Sequence, residues 1–266
     1  MIRFSKANAK IEGLYANEEL AQYLTGKRKV YSLDLLSGWS CPFAKECRSR
    51  AVVGADGRRT IKDGSDTLFR CFSASQEVQY NDVYNLRNSN FQTLRHLSHD
   101  DMYDTISNNL PNDAGIIRVH VGGDFFNLDY MRAWARVAAD NPNTLFYAYT
   151  KSIRYWLALQ DYNGVNIIPD NFILTASRGG YEDHFISQHN LREAVVVFSE
   201  SQAAELGLEI DHDDSHAARP SMKNTSFALL VHGTQPKGSD AAEALKILKR
   251  DNVKHSYSKK RKVKSV

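Results

Sequence analysis

The stretch GIIRVHVGGDFFNLDYMRAWARVAADNPNTLFYAYTKS (residues 115–152) decides the fold. GIIRVHVGG (115–123) is a near-continuous apolar run ending on two glycines, the pattern of a strand covered on both faces. LDYMRAWARVAADNP (128–142) sets Met131, Trp134, Ala135 and Ala138 at helical spacing and stops at Asn141-Pro142. TLFYAYTKS (144–152) returns to the strand pattern. Strand, helix and strand in so short a span predict a right-handed crossover between parallel strands.

The rhythm extends in both directions. NFILTASRGG (171–180), AVVVFSES (194–201) and FALLVHG (227–233) read as strands. Helices are predicted over 153–161 and 181–191, in SQAAELG up to Gly207, and over 239–251, the last with Ser239 or Asp240 as N-cap. Upstream, VYSLDLLSG (30–38) reads as the first strand, and 16–25 as a short helix with Asn17 as its cap. Residues 80–110 read as helical in one or two pieces, and the turn-rich stretch 51–67 as a hairpin-like insertion. Six strands alternating with helices predict an α/β fold, a partial parallel (β/α)6 barrel over residues 1–254, with an open doubly wound sheet as the alternative. Nearly every strand ends in a polar or glycine cluster, and ligands of parallel sheets sit at those ends.

Composition is that of a globular protein, 42% apolar and 24% charged. No apolar run approaches the roughly 20 residues that cross a bilayer, and MIRFSKANAKIEG carries no secretory apolar segment. The expectation is a cytoplasmic protein with no membrane partner. The net charge of +3 is uneven: nine Lys/Arg and one Asp lie from Lys246 onward. SYSKKRKVKSV has no apolar periodicity, so 255–266 is expected to be a disordered basic tail, either a nucleic-acid contact or a solubiliser.

Three cysteines do not make a disulfide framework. Cys41 and Cys47 follow the first strand in LLSGWSCPFAKECRSRA, and Cys71 follows the insertion in LFRCFSASQE. Three thiols with this placement suit a metal: an iron–sulfur cluster with one iron left open, or a zinc site. Three unrelated buried cysteines remain the alternative.

The segments YSLDLLSGWSCPFAKEC, FRCFSASQE, HVGGDFF, YAYTKS, LTASRGG, IDHDDSHA and HGTQPKGS resemble a family of phage and plasmid proteins named after phage gene product 88. They run from about residue 30 to 240. The resemblance implies phage or plasmid origin, hence a host cytoplasm, and implies no mechanism. The chain also resembles, more loosely, the radical S-adenosylmethionine superfamily. That superfamily has a partial (β/α)6 barrel with a three-cysteine loop after the first strand. Its second strand ends in a Gly-Gly-Glu-like motif that holds the S-adenosylmethionine amino group. Gly122, Gly123 and Asp124 stand in that place here, and Thr150-Lys151-Ser152 end the third strand. The resemblance implies a [4Fe–4S] cluster on Cys41, Cys47 and Cys71, with S-adenosylmethionine on Gly122, Gly123, Asp124, Thr150, Ser177 and Ser199. It also implies an external reductant. This chain departs from it in cysteine spacing, five residues and then twenty-three, and in Asp124 for Glu.

Other residues carry candidate chemistry. IDHDDSHA (210–217) gathers Asp211, His212, Asp213, Asp214 and His216, which could hold a divalent metal for hydrolysis or form a solvated loop. Arg118 and His120 are expected on one face of their strand. His120, Lys151, Asp213 and His216 are the catalytic candidates. Three functions stay open: a radical-S-adenosylmethionine-like enzyme, a cluster-containing nucleic-acid-binding or regulatory protein, and a metal-dependent hydrolase or nuclease centred on 211–216 with zinc on the cysteines. Oligomeric state is not legible.

Overall fold

The structure, a computed structural model, describes residues 1–253. The basic tail expected over 255–266 lies outside the described residues. Nine strands form two sheets among the described residues: β1 (Ser5–Lys6), β2 (Lys29–Leu33), β3 (Ser49–Val53), β4 (Arg59–Asp63), β5 (Ala114–Val119), β6 (Leu145–Thr150), β7 (Phe172–Ser177), β8 (Glu193–Val197) and β9 (Phe227–Leu230). The larger sheet runs β1-β2-β5-β6-β7-β8-β9. From β2 to β9 every neighbour is parallel, and β1 pairs antiparallel on the edge of β2. The six strands expected from the sequence are therefore parallel neighbours in chain order, with no switch point. β1 and β9 are the two edges, so the sheet stays open.

The helices are α1 (Phe72–Gln79), α2 (Asn81–Leu94), α3 (His99–Asn109), α4 (Leu128–Ala139), α5 (Ile153–Gln160), α6 (Asp183–Gln188), α7 (Glu200–Glu205), α8 (Ser215–Ala218) and α9 (Asp240–Arg250). Side-chain caps start several of them. Asn127 accepts from Tyr130 N–H at α4, and Ser239 accepts from Ala242 N–H at α9. The helical stretch expected over 80–110 is longer and broken twice, because it begins at Phe72 and Tyr80 interrupts it in an extended conformation.

Both faces of the sheet are buried, which is why all six residues of β5 are inaccessible. Leu33, Ile117, Val119, Phe146 and Leu174 pack beneath Met131 and Trp134 of α4 and the adjoining helices. On the opposite face, Val30, Ile116, Leu145, Tyr147 and Ile173 meet the N-terminal segment and α8 through Ile11, Leu14, Leu20, Ala217 and Ala218. A Cβ on Gly115 would stand 2.1 Å from the Tyr23 carbonyl oxygen, so only glycine lets that segment lie against β5.

Here the structure corrects one expectation. Residues 16–25 are not an α-helix: two 3-10 turns, Ile11–Ala16 and Leu20–Tyr23, flank Asn17. Asn17 is extended and its side chain accepts from Leu20 N–H, which interrupts the helical course. The buried Ile11, Leu14 and Leu20 pin both turns to the sheet.

The insertion is a hairpin, with β3 and β4 antiparallel from Ser49↔Asp63 to Val53↔Arg59. Asp56-Gly57 make its turn: Gly57 has φ +74° and Arg58 N–H donates to Asp56 Oδ1.

Candidate functional site

The site begins where β2 ends. Gly38 (φ +69°) turns the chain, and its N–H donates to Cys41 Sγ at 3.4 Å. A Cβ there would stand 2.5 Å from the Ser49 carbonyl oxygen. After Cys47 the chain leaves through the hairpin and returns beside its own exit. The N–H groups of Leu68 and Phe69 both donate to the Glu46 carbonyl, at 2.8 and 3.2 Å, and Cys71 N–H donates to Ser49 Oγ. The hairpin thus folds away the long gap between Cys47 and Cys71, and Cys71 becomes the residue before α1.

All three cysteines line one cavity of about 480 Å³ at the C-terminal ends of the parallel strands. Burial pushes each thiol up, Cys71 to about 11 with Cys47 beside it, so without a metal all three are protonated at neutral pH. Among the described residues no three His, Cys, Asp or Glu side chains are gathered closely enough to hold a single metal ion.

Of the six residues that the sequence placed around a cofactor, Gly122, Gly123, Asp124, Thr150 and Ser177 line this cavity. The glycines answer to protein neighbours as well. A Cβ on Gly122 would stand 2.1 Å from Ser73 Oγ, and one on Gly123 (φ +97°) 2.7 Å from Leu35 Cβ and Ser40 Oγ.

Asp124 is 4% exposed and both its oxygens are engaged. Oδ1 accepts from Phe125 N–H and Thr150 Oγ1, each at 2.7 Å, and Oδ2 accepts from Lys151 N–H at 2.8 Å. Burial nonetheless raises its carboxyl to about 6. Lys151 Nζ in turn donates to the Ser177 carbonyl, Ser177 Oγ and the Arg178 carbonyl. Asp124 and Lys151 therefore link the ends of β5, β6 and β7 in a row.

A sequence-family model described as Gene product 88 matches residues 3–251. The chain belongs to the gene product 88 family. It is similar to the Gene 88 protein of Mycobacterium phage D29, 27% identical over 114 residues, 43% of each chain. It is also similar to the Gene 88 protein of Mycobacterium phage L5, 50% identical over 36 residues, 14% of this chain and 15% of the phage protein. The matches span less than half the length of either relative. No solved structure matches the chain. No described helix is long and apolar enough to cross a membrane.

Of the other candidate residues in this gene product 88 family member, His120 lines the same cavity. His120 does not share a face with Arg118. Its φ of +74° ends the strand alternation and turns the imidazole toward α4, where Nε2 meets Tyr130 Oη at 3.0 Å. Burial, with Arg118 nearby, lowers it to about 3, so the ring is neutral. Ser199 does not line the cavity. It caps α7, accepting from Gln202 N–H at 3.1 Å.

Among the described residues the 211–216 side chains form no group placed to hold a single metal ion. Asp213 accepts from Ser215 N–H, and His216 sits between Glu209 and Asp211, which raise its pKa. Asp214 turns fully inward onto Lys10, Arg118 and Tyr147.

Sequence reasoning missed this buried network, and also the Glu77–Arg87 pair behind Gly122. There Glu77 Oε1 accepts from Ser37 N–H, Ser37 Oγ, Ser73 Oγ and Arg87 Nη1. The available signal was Glu77 itself, the single acid in the helix FSASQEVQ that follows Cys71.

Proposed function

We propose that this protein is an iron–sulfur protein of radical-S-adenosylmethionine-like architecture, its open sheet a partial (β/α)6 barrel. The observation that carries the reading is the convergence of Cys41, Cys47 and Cys71, from two separate loops, on one cavity at the C-terminal strand ends. A cubane cluster spreads its thiolates over separate irons, so its ligands stand further apart than those of one zinc. Three thiols on one cavity are the kind of ligand set such a cluster takes.

Cys41, Cys47 and Cys71 would hold the cluster, which supplies one-electron chemistry when bound. The chain's own residues do the rest. Val196, Leu229 and Val231 contribute an apolar wall that limits water. The volume is within the range of about 300–1,000 Å³ usual for small-molecule sites, which allows S-adenosylmethionine beside the open iron. With both carboxylate oxygens engaged, Asp124 sets the positions of Thr150 and Lys151, and cofactor contacts fall to the Gly122–Gly123 backbone.

Anaerobic purification tests the reading. The expected product is brown, with about four irons per chain, and Cys→Ala at 41, 47 or 71 bleaches it. Colourless protein with stoichiometric zinc overturns it. Calorimetry on the iron-loaded protein then shows S-adenosylmethionine binding, and its absence removes the S-adenosylmethionine half of the proposal.

A further inference from the structure

The loop that carries Cys41 and Cys47 has a second side. Ala44 and Cys47 line the large cavity, whereas Lys45 and Arg48 line a smaller one of about 210 Å³ with Arg50, Lys62 and Tyr181. Two carboxylates border this cleft. Asp63 is taken by Arg70, whose Nη2 donates to it at 2.5 Å, and Asp66 accepts from Ser65 Oγ on the rim. Among the described residues none of Lys45, Arg48, Arg50 and Lys62 forms an ion pair with a carboxylate.

Two observations give this surplus of positive charge a direction. Arg50 and Lys62 stand directly opposite each other across the β3–β4 ladder. Like charges in that position destabilise a hairpin, and an anion between them removes the penalty. Flat aromatic surface is also presented beside the cations. Tyr181 lines the cleft and is 49% exposed, and Trp39 is 46% exposed with the Arg50 guanidinium 4.5 Å above its ring. Cations for a phosphate backbone next to the exposed Tyr181 ring for a base are the components of a single-strand binding groove. A duplex keeps its base faces stacked and would leave the ring unused, and an acidic peptide would use the charges alone.

We propose that the hairpin cleft binds single-stranded nucleic acid, with phosphates on Lys45, Arg48, Arg50 and Lys62 and a base against Tyr181. The bound strand then runs along the Cys41–Cys47 loop toward the large cavity. The proposal stands whether or not the thiols hold iron.

The test uses the full chain and a fluorescent single-stranded DNA of about 16 nucleotides. The Arg50→Ala/Lys62→Ala double variant lowers the slope of log affinity against log salt by about 1.4, which is about 0.7 for each phosphate no longer neutralised. The distal basic segment is unchanged in that variant, so the difference reports the cleft. Tyr181→Ala weakens binding by about fivefold or more without changing the salt slope. Melting temperature and iron content measured on the same samples separate misfolding, or failure of the cluster reading, from failure of this one. A folded double variant with the parent salt slope overturns the proposal. So does equal competition by polyglutamate, or by duplex DNA of the same length.

Discussion

Arg118 of β5 and Asp214 of the loop before α8, 96 residues apart, form an ion pair buried between the sheet and the segment that covers it. Lys10 Nζ joins from the N-terminal segment at 2.6 Å, and Tyr147 Oη donates to Asp214 at 3.0 Å. The pair ties α8 and the chain start to the face of the sheet that the helix layer leaves uncovered.

Burial alone would raise the Asp214 carboxyl, but Arg118 and Lys10 hold it down at about 2, against an ordinary 3.8. A lowered carboxylate stabilises the fold above its ordinary pKa and loses that contribution as pH falls through the folded value. Acid titration followed by circular dichroism is therefore expected to show a loss on the order of 2 kcal/mol between about pH 4 and pH 2. Asp214→Asn removes the buried counter-charge of Arg118 and Lys10 and costs about 3–5 kcal/mol at pH 7 in urea denaturation.

Asp124→Asn tests the bond row at the strand ends. Asn keeps one acceptor, so its amide N–H₂ must face either Lys151 N–H or the Phe125 N–H and Thr150 hydroxyl. A donor set against a donor costs about 1–3 kcal/mol. The carboxyl of Asp124 is raised to about 6 from 3.8, so its contribution is fully present below about pH 4 and is lost as pH rises through about 6. The variant abolishes that decline, which stability curves across the window measure directly.

Gly123 and Gly57 both have positive φ, +97° and +74°, but only Gly123 is crowded. Gly57→Ala costs about 1–2 kcal/mol from backbone strain alone, because nothing lies near its Cβ. Gly123→Ala adds a clash with Leu35 and Ser40 and is expected to cost clearly more in thermal unfolding. Equal losses would mean that the crowding around Gly123 relaxes freely.

Ser199→Ala separates a helix cap from a cofactor contact. Loss of the bond from Gln202 N–H costs about 1 kcal/mol of stability. Calorimetric affinity of the iron-loaded protein for S-adenosylmethionine is expected to be unchanged. A drop in affinity at unchanged stability would return Ser199 to the binding site.

Strand order and direction were legible because each strand is a local apolar run, and the crossover between neighbours has one favoured hand. The hairpin was legible from Asp56-Gly57, and the pairing of Ser49 with Asp63 explains how Cys71 comes back to Cys47. The side of the sheet that His120 takes was not legible. Strict alternation assigns it to Arg118's face, and one left-handed residue at the strand end moves it to the other.

By itself, then, the sequence determined the parallel sheet, the rim of polar strand ends and the position of the three cysteines in chain order, all set by local periodicity and turn chemistry. Only the tertiary structure decided which polar groups meet. Asp214 meets Arg118 and Lys10, and Asp124 spends its oxygens on Phe125, Thr150 and Lys151. Such pairings depend on ladder register and on which segment covers each face, relations between residues far apart in the chain that no local pattern encodes.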